Sequence, residues 1–289
     1  MKRIFTTLLC SFFGVFILSL SLFAGDIVIF GDSQIDEISQ RKVVQAVLSV
    51  NPSIVFRLGD NVEDGNDHNE WRAFNDINKP LLNTAEYFPA LGNHEQDSRL
   101  YFDNFPFLNH RRWYSVERKG IHFIVLDSNS PLGRLSEQYN WLKSDLDSIE
   151  DSVKFRIVLL HHPIFTVGPH REDEKNLRDI LLPLFKKYGV AAVFSGHNHN
   201  YQRLKYQGID FIVTGGGGAR LRDSNRTSPY LKKFVKVYHF CLLSPGDDSL
   251  GVRVIDADLN VIDEFNIPAI KPALQSSLHN ICRITVCFT

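Results

Sequence analysis

Short apolar runs alternate along the chain with segments of helical period. Ile27-Val28-Ile29-Phe30 is apolar at every position and bounded by polar residues, the pattern of a strand buried on both faces. The runs 54–58, 122–126, 157–160, 190–194 and 211–213 predict five more strands of the same kind. Between the third and fourth strands, Leu135, Tyr139, Leu142, Leu146 and Ile149 recur at spacings of four and three, which predicts one apolar helix face. Leu177, Leu181, Leu184 and Tyr188 predict a second helix, which Pro183 should kink or shorten. Strands followed by helices specify an α/β fold with helices packed on a sheet. After Gly215 the runs 235–243, 251–255 and 261–267 have strand composition with no helix between them, so a terminal antiparallel set is expected.

The ends of the chain are of a different kind. Lys2 and Arg3 precede an apolar run from Ile4 to Phe23, and Ala24-Gly25 offers a small-residue cleavage point. Leu22 is a poor residue three before that cut, and a run of about twenty apolar residues is long enough to span a bilayer uncut. Residues 1–24 are therefore expected to be a signal peptide or an uncleaved anchor, residues 25–267 one folded domain, and residues 268–289 a tail outside the core. Either fate of the leader delivers the domain outside the cytoplasm, to the periplasm, the medium or the cell surface.

Composition narrows the partners. With 44% hydrophobic and 22% charged residues in 289, the chain is of ordinary globular type, which excludes a disordered, collagenous or multi-span membrane protein. The formal net charge is −1, without the basic excess that holds nucleic acid or an anionic membrane. Small-molecule or protein partners are favoured, and membrane contact is expected only through an uncleaved leader. Beyond the leader only Cys241, Cys282 and Cys287 remain, too few for a disulfide framework and without zinc-finger spacing. Cys282 and Cys287 could pair in an oxidising compartment, leaving Cys241 as a buried apolar residue.

The chemistry lies where strands end. Gly31-Asp32-Ser33-Gln34, Gly59-Asp60-Asn61, Gly92-Asn93-His94-Glu95, His161-His162-Pro163 and Gly196-His197-Asn198-His199 each follow an apolar run. In open α/β sheets ligands gather at the carboxyl ends of the strands, so these loops should converge on one crevice. A lone Gly-Asp or Gly-Asn-His is usually a turn or a helix cap. Five such loops in order, rich in carboxylate, amide and imidazole, instead form a donor set for Zn, Fe or Mn.

These blocks, with Val158-x-x-His161 for the fourth, resemble the calcineurin-like metallophosphoesterases over about residues 26–218, and most closely the purple acid phosphatase branch. Tyr201-Gln202-Arg203 and the glycine run 215–218 resemble the branch's continuation. The resemblance implies a four-layer α/β/β/α sandwich with a dinuclear site at the strand ends. It implies that Asp60 bridges two divalent or Fe/Zn/Mn-type ions, that Asp32 and His199 bind the first, and that Asn93, His161 and His197 bind the second. His94 is then a general acid or a clamp on the phosphate, and His170, nine residues after His161, a second phosphate-facing histidine. Glu95 is expected to orient His94, and His162 to be a supporting residue.

Two positions depart from the pattern. Gln34 stands where the superfamily often has His, and Glu63 where the purple branch has Tyr. Either side chain could complete the first metal's shell or support it from behind. The function implied is an exported phosphoesterase acting on small phosphate monoesters or diesters by attack of a metal-bridging hydroxide. The alternatives are a secreted binding protein on a scaffold whose first metal site has decayed, and a nucleotidase or cyclic-nucleotide phosphodiesterase. Retention of His94, which a binding scaffold would not need, favours the enzyme.

Overall fold

The structure, a computed structural model, describes residues 27–270 except positions 35, 96, 151, 172, 173 and 225. The leader and the Cys282–Cys287 pair lie outside the described residues. The chain runs through β1 (Ile27–Phe30), α1 (Glu37–Ser49), β2 (Ile54–Arg57), α2 (His68–Thr84), β3 (Glu86–Pro89) and α3 (Arg99–Asn104). It continues as β4 (Tyr114–Arg118), β5 (Ile121–Val125), α4 (Glu137–Ser148), β6 (Phe155–Leu160), α5 (Glu174–Lys187) and β7 (Ala192–Ser195). The strands β8 (Tyr201–Tyr206), β9 (Ile209–Thr214), β10 (Leu231–Val235), β11 (His239–Pro245), β12 (Ser249–Asp256) and β13 (Val261–Pro268) complete it.

Two mixed sheets result, of order β13-β12-β11-β1-β2-β3 and β10-β8-β9-β7-β6-β5-β4. Within them β1, β2 and β3 are parallel, and so are β5, β6 and β7. The terminal set β11, β12 and β13 is antiparallel, as its sequence predicts, and joins β1.

Side-chain alternation explains the layering. Phe123 and Val125 of β5 belong to a core shared by both sheets, whereas Ile124 packs with Leu142 and Leu146 of α4 and Leu181 and Leu184 of α5. The strands β5, β6, β7 and β9 of the second sheet are thus buried on both faces, which is why they read as largely apolar runs, whereas β4, β8 and β10 keep exposed or half-buried positions. The first sheet carries α1 and α2, with Val43, Val47, Trp71 and Phe74 in the shared core. The layers follow as helices, sheet, sheet, helices, and the expected α/β/β/α sandwich is the fold.

Two local expectations change. Leu135 does not belong to the apolar face of α4: it is 97% exposed, because Ser136 caps the helix and its Oγ accepts the Tyr139 N–H. Nor does Pro183 shorten α5, which runs through it to Lys187. Cys241 is free and buried in the core, as expected. At the C-terminal edge β13 ends at Pro268, and Ile270 still donates its N–H to Lys154. Among the described residues no helix is long and apolar enough to cross a membrane.

Candidate metal centre

All five sequence-predicted loops leave the C-terminal ends of parallel strands at one edge of the molecule, three from the first sheet and two from the second. Backbone bonds hold these loops within each sheet and, from Gly31, across to the other. Gly31 donates to Thr214 at 3.0 Å and Gly196 to His161 at 3.0 Å, while Asp32 and Ser33 donate to Gly59 and Asp60. Asp32, Asp60 and His197 have positive φ of 62°, 52° and 67°. A left-handed conformation at a residue bearing a Cβ is uncommon and costs roughly 1–3 kcal/mol where the environment enforces it. Three such residues aimed at one point mark a site whose geometry was favoured over local comfort.

The glycines beside them have a steric reason. A Cβ at Gly196 would lie 2.3 Å from Asp32 Oδ2, and one at Gly92 would lie 2.2 Å from Asp60 Oδ1.

Three donor atoms gather round His161 Nε2, the group expected at the second metal. His161 Nε2 lies 3.0 Å from Asn93 Oδ1, 3.2 Å from Asp60 Oδ2 and 3.2 Å from His197 Nδ1. Ligands held about 2.0–2.2 Å from a common cation sit roughly 3–3.5 Å from one another, so the spacing fits. The His161 ring is fixed by its Nδ1–H, which donates to the Leu58 carbonyl at 2.7 Å, the outer bond that metal-ligating imidazoles usually make.

The first position is built from Asp32, Asp60, His199 and Gln34. His199 donates Nδ1–H to the Arg220 carbonyl at 2.9 Å, which turns Nε2 to within 3.6 Å of Asp32 Oδ1. Gln34 Nε2 lies 3.4 Å from both His199 Nε2 and Asp60 Oδ2. A half-turn of that amide would bring Oε1 to the same place. Asp32 Oδ2 and Gln34 Oε1 are buried without hydrogen-bond partners, which a bound cation would satisfy.

Electrostatics agree. Burial pushes the Asp32 carboxyl up to about 7. Burial acts the same way on Asp60, but the adjacent His161 outweighs it and holds Asp60 well below the usual carboxylate range. His161 itself, despite burial, is raised to about 10 by Asp60 and Asp32. Burial, with the charge of His161, pushes His162 down to about 3 and His197 to about 2, and burial, helped by the charge of Arg222, takes His199 to about 4. The buried carboxylates thus demand positive charge, which His161 supplies by holding its proton, while His162, His197 and His199 stay neutral with lone pairs to offer. Oxygen and nitrogen donors with these properties fit two divalent cations.

Beside the centre opens a cavity of about 400 Å³ lined by Glu63, His94, His162, His170 and Arg222 together with Gln34, Asp60, Asn93, His197 and His199. His94 donates its backbone N–H to Asp60 Oδ1 at 3.1 Å. Its ring Nδ1–H donates to the Glu63 carbonyl at 2.8 Å, leaving Nε2 3.9 Å from Asp60 Oδ2. Burial lowers the His94 pKa, yet the Asp60 carboxylate, the bond to the Glu63 carbonyl and the charges of Glu63 and Glu95 together outweigh it, and the net shift is upward. His170 is held through its backbone, which donates to Asn198 Oδ1 at 3.0 Å and accepts from Asn198 Nδ2 at 2.7 Å, with its ring 5.1 Å from that of His197.

Two of the sequence expectations meet a different geometry. The Glu95 carboxylate makes its hydrogen bonds away from the His94 ring. Fully buried, it accepts the backbone N–H groups of Asp60, Asn61 and Gly92 at 3.0, 2.6 and 2.6 Å, clamping the Asp60 loop to the Asn93 loop. The Glu63 carbonyl takes the orienting part. The Glu63 carboxylate lies 3.4 Å from His94 Nδ1, at the cavity wall beside that ring.

Several site residues carried no motif signal. Arg57 is buried behind the centre, donates to Asn61 Oδ1 at 3.2 Å and stacks over the Phe30 ring at 4.1 Å. Asn198, the middle residue of His-x-His, could be suspected from its place, but its grip on the 166–170 loop could not. Ser128 and Arg222 follow β5 and the glycine run without any local pattern.

The profile of the family described as calcineurin-like phosphoesterase matches residues 25–201. Purple acid phosphatase 18 of Arabidopsis thaliana is 32% identical over 152 residues, which cover 47% of this chain and 35% of that protein. The matched stretch is thus about a third of the relative's length. Among solved structures, the purple acid phosphatase PPD1 of yellow lupin (Lupinus luteus) seeds superposes with a TM-score of 0.74 at 22% identity, over 84% of this chain and 53% of that one. GAP50, the anchor in the inner membrane complex of Plasmodium, does so with a TM-score of 0.68 at 19% identity, over 86% and 90%. With more than half of its length matched by the family's profile, on a fold and a donor set that agree with it, this chain belongs to the calcineurin-like phosphoesterase family.

Proposed function

We propose that this protein is an exported, dinuclear metal-dependent phosphoesterase that hydrolyses small phosphate monoesters or diesters. The observation that carries the proposal is the convergence of Asp60 Oδ2, Asn93 Oδ1, His161 Nε2 and His197 Nδ1 beside the orphaned Asp32 Oδ2. Asp60 would bridge, Asp32 and His199 would hold the first cation with help from Gln34, and Asn93, His161 and His197 the second. Two bound cations would supply Lewis acidity to the phosphoryl oxygens and a nucleophile from coordinated water near neutral pH.

The remaining work belongs to the side chains at the cavity. His94, with Nδ1–H committed to the Glu63 carbonyl, presents Nε2 to the cavity and delivers a proton to the leaving oxygen. His170 and Arg222 line the wall and offer hydrogen-bond donors to the ester. The names of the similar plant proteins support acid-phosphatase chemistry. The basic, apolar stretch from Lys2 to Phe23 supports export by way of a leader, cleaved or retained, and the domain is proposed to span residues 25–267 with 268–289 as a tail.

The binding-scaffold reading rests on Gln34 and Glu63, the two substitutions at the first metal position. Elemental analysis of the purified protein, paired with turnover of an aryl phosphate, separates the two. Two metal equivalents per chain with hydrolysis support the enzyme; one equivalent or none without hydrolysis refutes it.

A further inference from the structure

Ser128 lies in the loop that follows β5, which the five motif loops do not include. That loop is firmly held: Asp127 donates its N–H to Gln138 Oε1 at 2.8 Å, and Asn129 Nδ2 donates to the Gly92 carbonyl at 3.2 Å, next to Asn93. Ser128 Oγ accepts the His162 backbone N–H at 2.9 Å and lies 2.8 Å from His162 Nδ1. Ser128 Oγ has one hydrogen to give, and placing it on Nδ1 while the oxygen accepts the His162 N–H satisfies all three groups at once. The ring proton of neutral His162 is then on Nε2.

That arrangement sets what His162 offers. Its ring is packed 5.0 Å from that of His161 and 4.5 Å from that of His197, and one nitrogen of each of the three lies close enough to share an ion. A nitrogen that carries its proton has no lone pair for a cation, but it is a hydrogen-bond donor for an anion. His162 also lines the cavity that His94 lines. We infer that His162 Nε2–H donates to a phosphate oxygen on the second-metal side, and that Ser128 is the positioning residue that fixes its tautomer and ring angle. The inference rests on the phosphoesterase reading and adds to it a phosphate donor outside the motif residues.

The test uses the purified, metal-loaded full chain, with His162→Ala, His162→Gln and Ser128→Ala, and inorganic phosphate as the probe. Metal content is measured by elemental analysis and the phosphate dissociation constant by calorimetry. Expected are two metals in every variant, phosphate binding weakened about tenfold in His162→Ala and several-fold in Ser128→Ala, and partial recovery in His162→Gln, whose amide can donate. Loss of a metal equivalent in His162→Ala would overturn the inference by making His162 a ligand, and unchanged phosphate affinity in both alanine variants would overturn it by making the pair structural. Should His162→Ala fail to fold, Ser128→Ala decides alone, since it leaves the ring in place. Wild-type protein that binds two metals but no phosphate would sink the phosphoesterase reading and this inference together, whereas wild-type binding with indifferent variants sinks only the inference.

Discussion

Glu95→Gln separates two roles for a fully buried carboxylate. If Glu95 orients His94, the variant keeps its metals and loses proton transfer. If it clamps the two metal-bearing loops, as its hydrogen bonds indicate, the metals go first. Oε1 accepts from the Asn61 backbone at 2.6 Å and from Asn61 Nδ2 at 3.1 Å, and Oε2 from the backbones of Asp60 at 3.0 Å and Gly92 at 2.6 Å. Glutamine keeps one oxygen and turns an NH₂ toward one pair of these donors. Two buried N–H groups left without acceptors cost ~1–3 kcal/mol each, or ~2–6 kcal/mol together. Removing a buried negative charge beside Asp60 offsets part of that, and burial with Asp60 already raises the Glu95 pKa.

A net loss of roughly 2–4 kcal/mol falls on the loops carrying Asp60 and Asn93, so metal affinity should drop by about 10–100-fold, the usual cost of losing a support behind a ligand. The assay is metal content after dialysis against a graded chelator, with urea unfolding of the metal-free protein beside it. A variant that holds two metals at wild-type affinity, yet fails selectively on esters with poor leaving groups, would refute the clamp and return Glu95 to the orienting role.

Asp60→Ala removes the carboxylate proposed to bridge and should abolish metal binding and turnover together, measured by elemental analysis and an aryl phosphate assay. His94→Ala should retain both metals and lose activity by roughly 10²–10⁴-fold, more for alkyl than for activated aryl esters; an equal loss on both would make His94 a phosphate clamp. No tyrosine lines the cavity among the described residues: Tyr101 and Tyr114 donate their hydroxyls to the Pro89 carbonyl and Tyr201 to Asp263. The iron-loaded protein should therefore be colourless, and a visible charge-transfer band abolished by a Tyr→Phe change would contradict that. His239, buried beneath the glycine run, is pushed from its ordinary 6.5 down to about 4 by burial. Its depressed pKa means that the stability it supports is present above about pH 6.5 and lost as pH falls toward 4, by up to about 3 kcal/mol. His239→Met should flatten the pH dependence of the Tm of the metal-free protein in that window, and an unchanged slope would place the acid sensitivity elsewhere.

The strands, the α/β class and the metal-type donors were legible in the sequence because each is local. A buried parallel strand must be apolar at every position, and the ligands sit within a few residues of its end, so Ile27–Phe30 announces Asp32 and the run 157–160 announces His161. Even here the helix boundary failed at Leu135, where the 3.6 period continued past the point at which Ser136 caps the helix. What packing decided is which atom faces which. Glu95 stands next to His94 in the chain, yet its partners are backbone groups up to 35 residues away, reached because β2 and β3 lie side by side. The Ser128–His162 bond spans 34 residues for the same reason, through the neighbouring strands β5 and β6. The positive φ of Asp32, Asp60 and His197 is likewise imposed from outside, by loops that must bring donors from two sheets to one point. Sequence periodicity carries the burial of each element, whereas hydrogen-bond partners across sheets depend on strand order and register, which no local pattern contains.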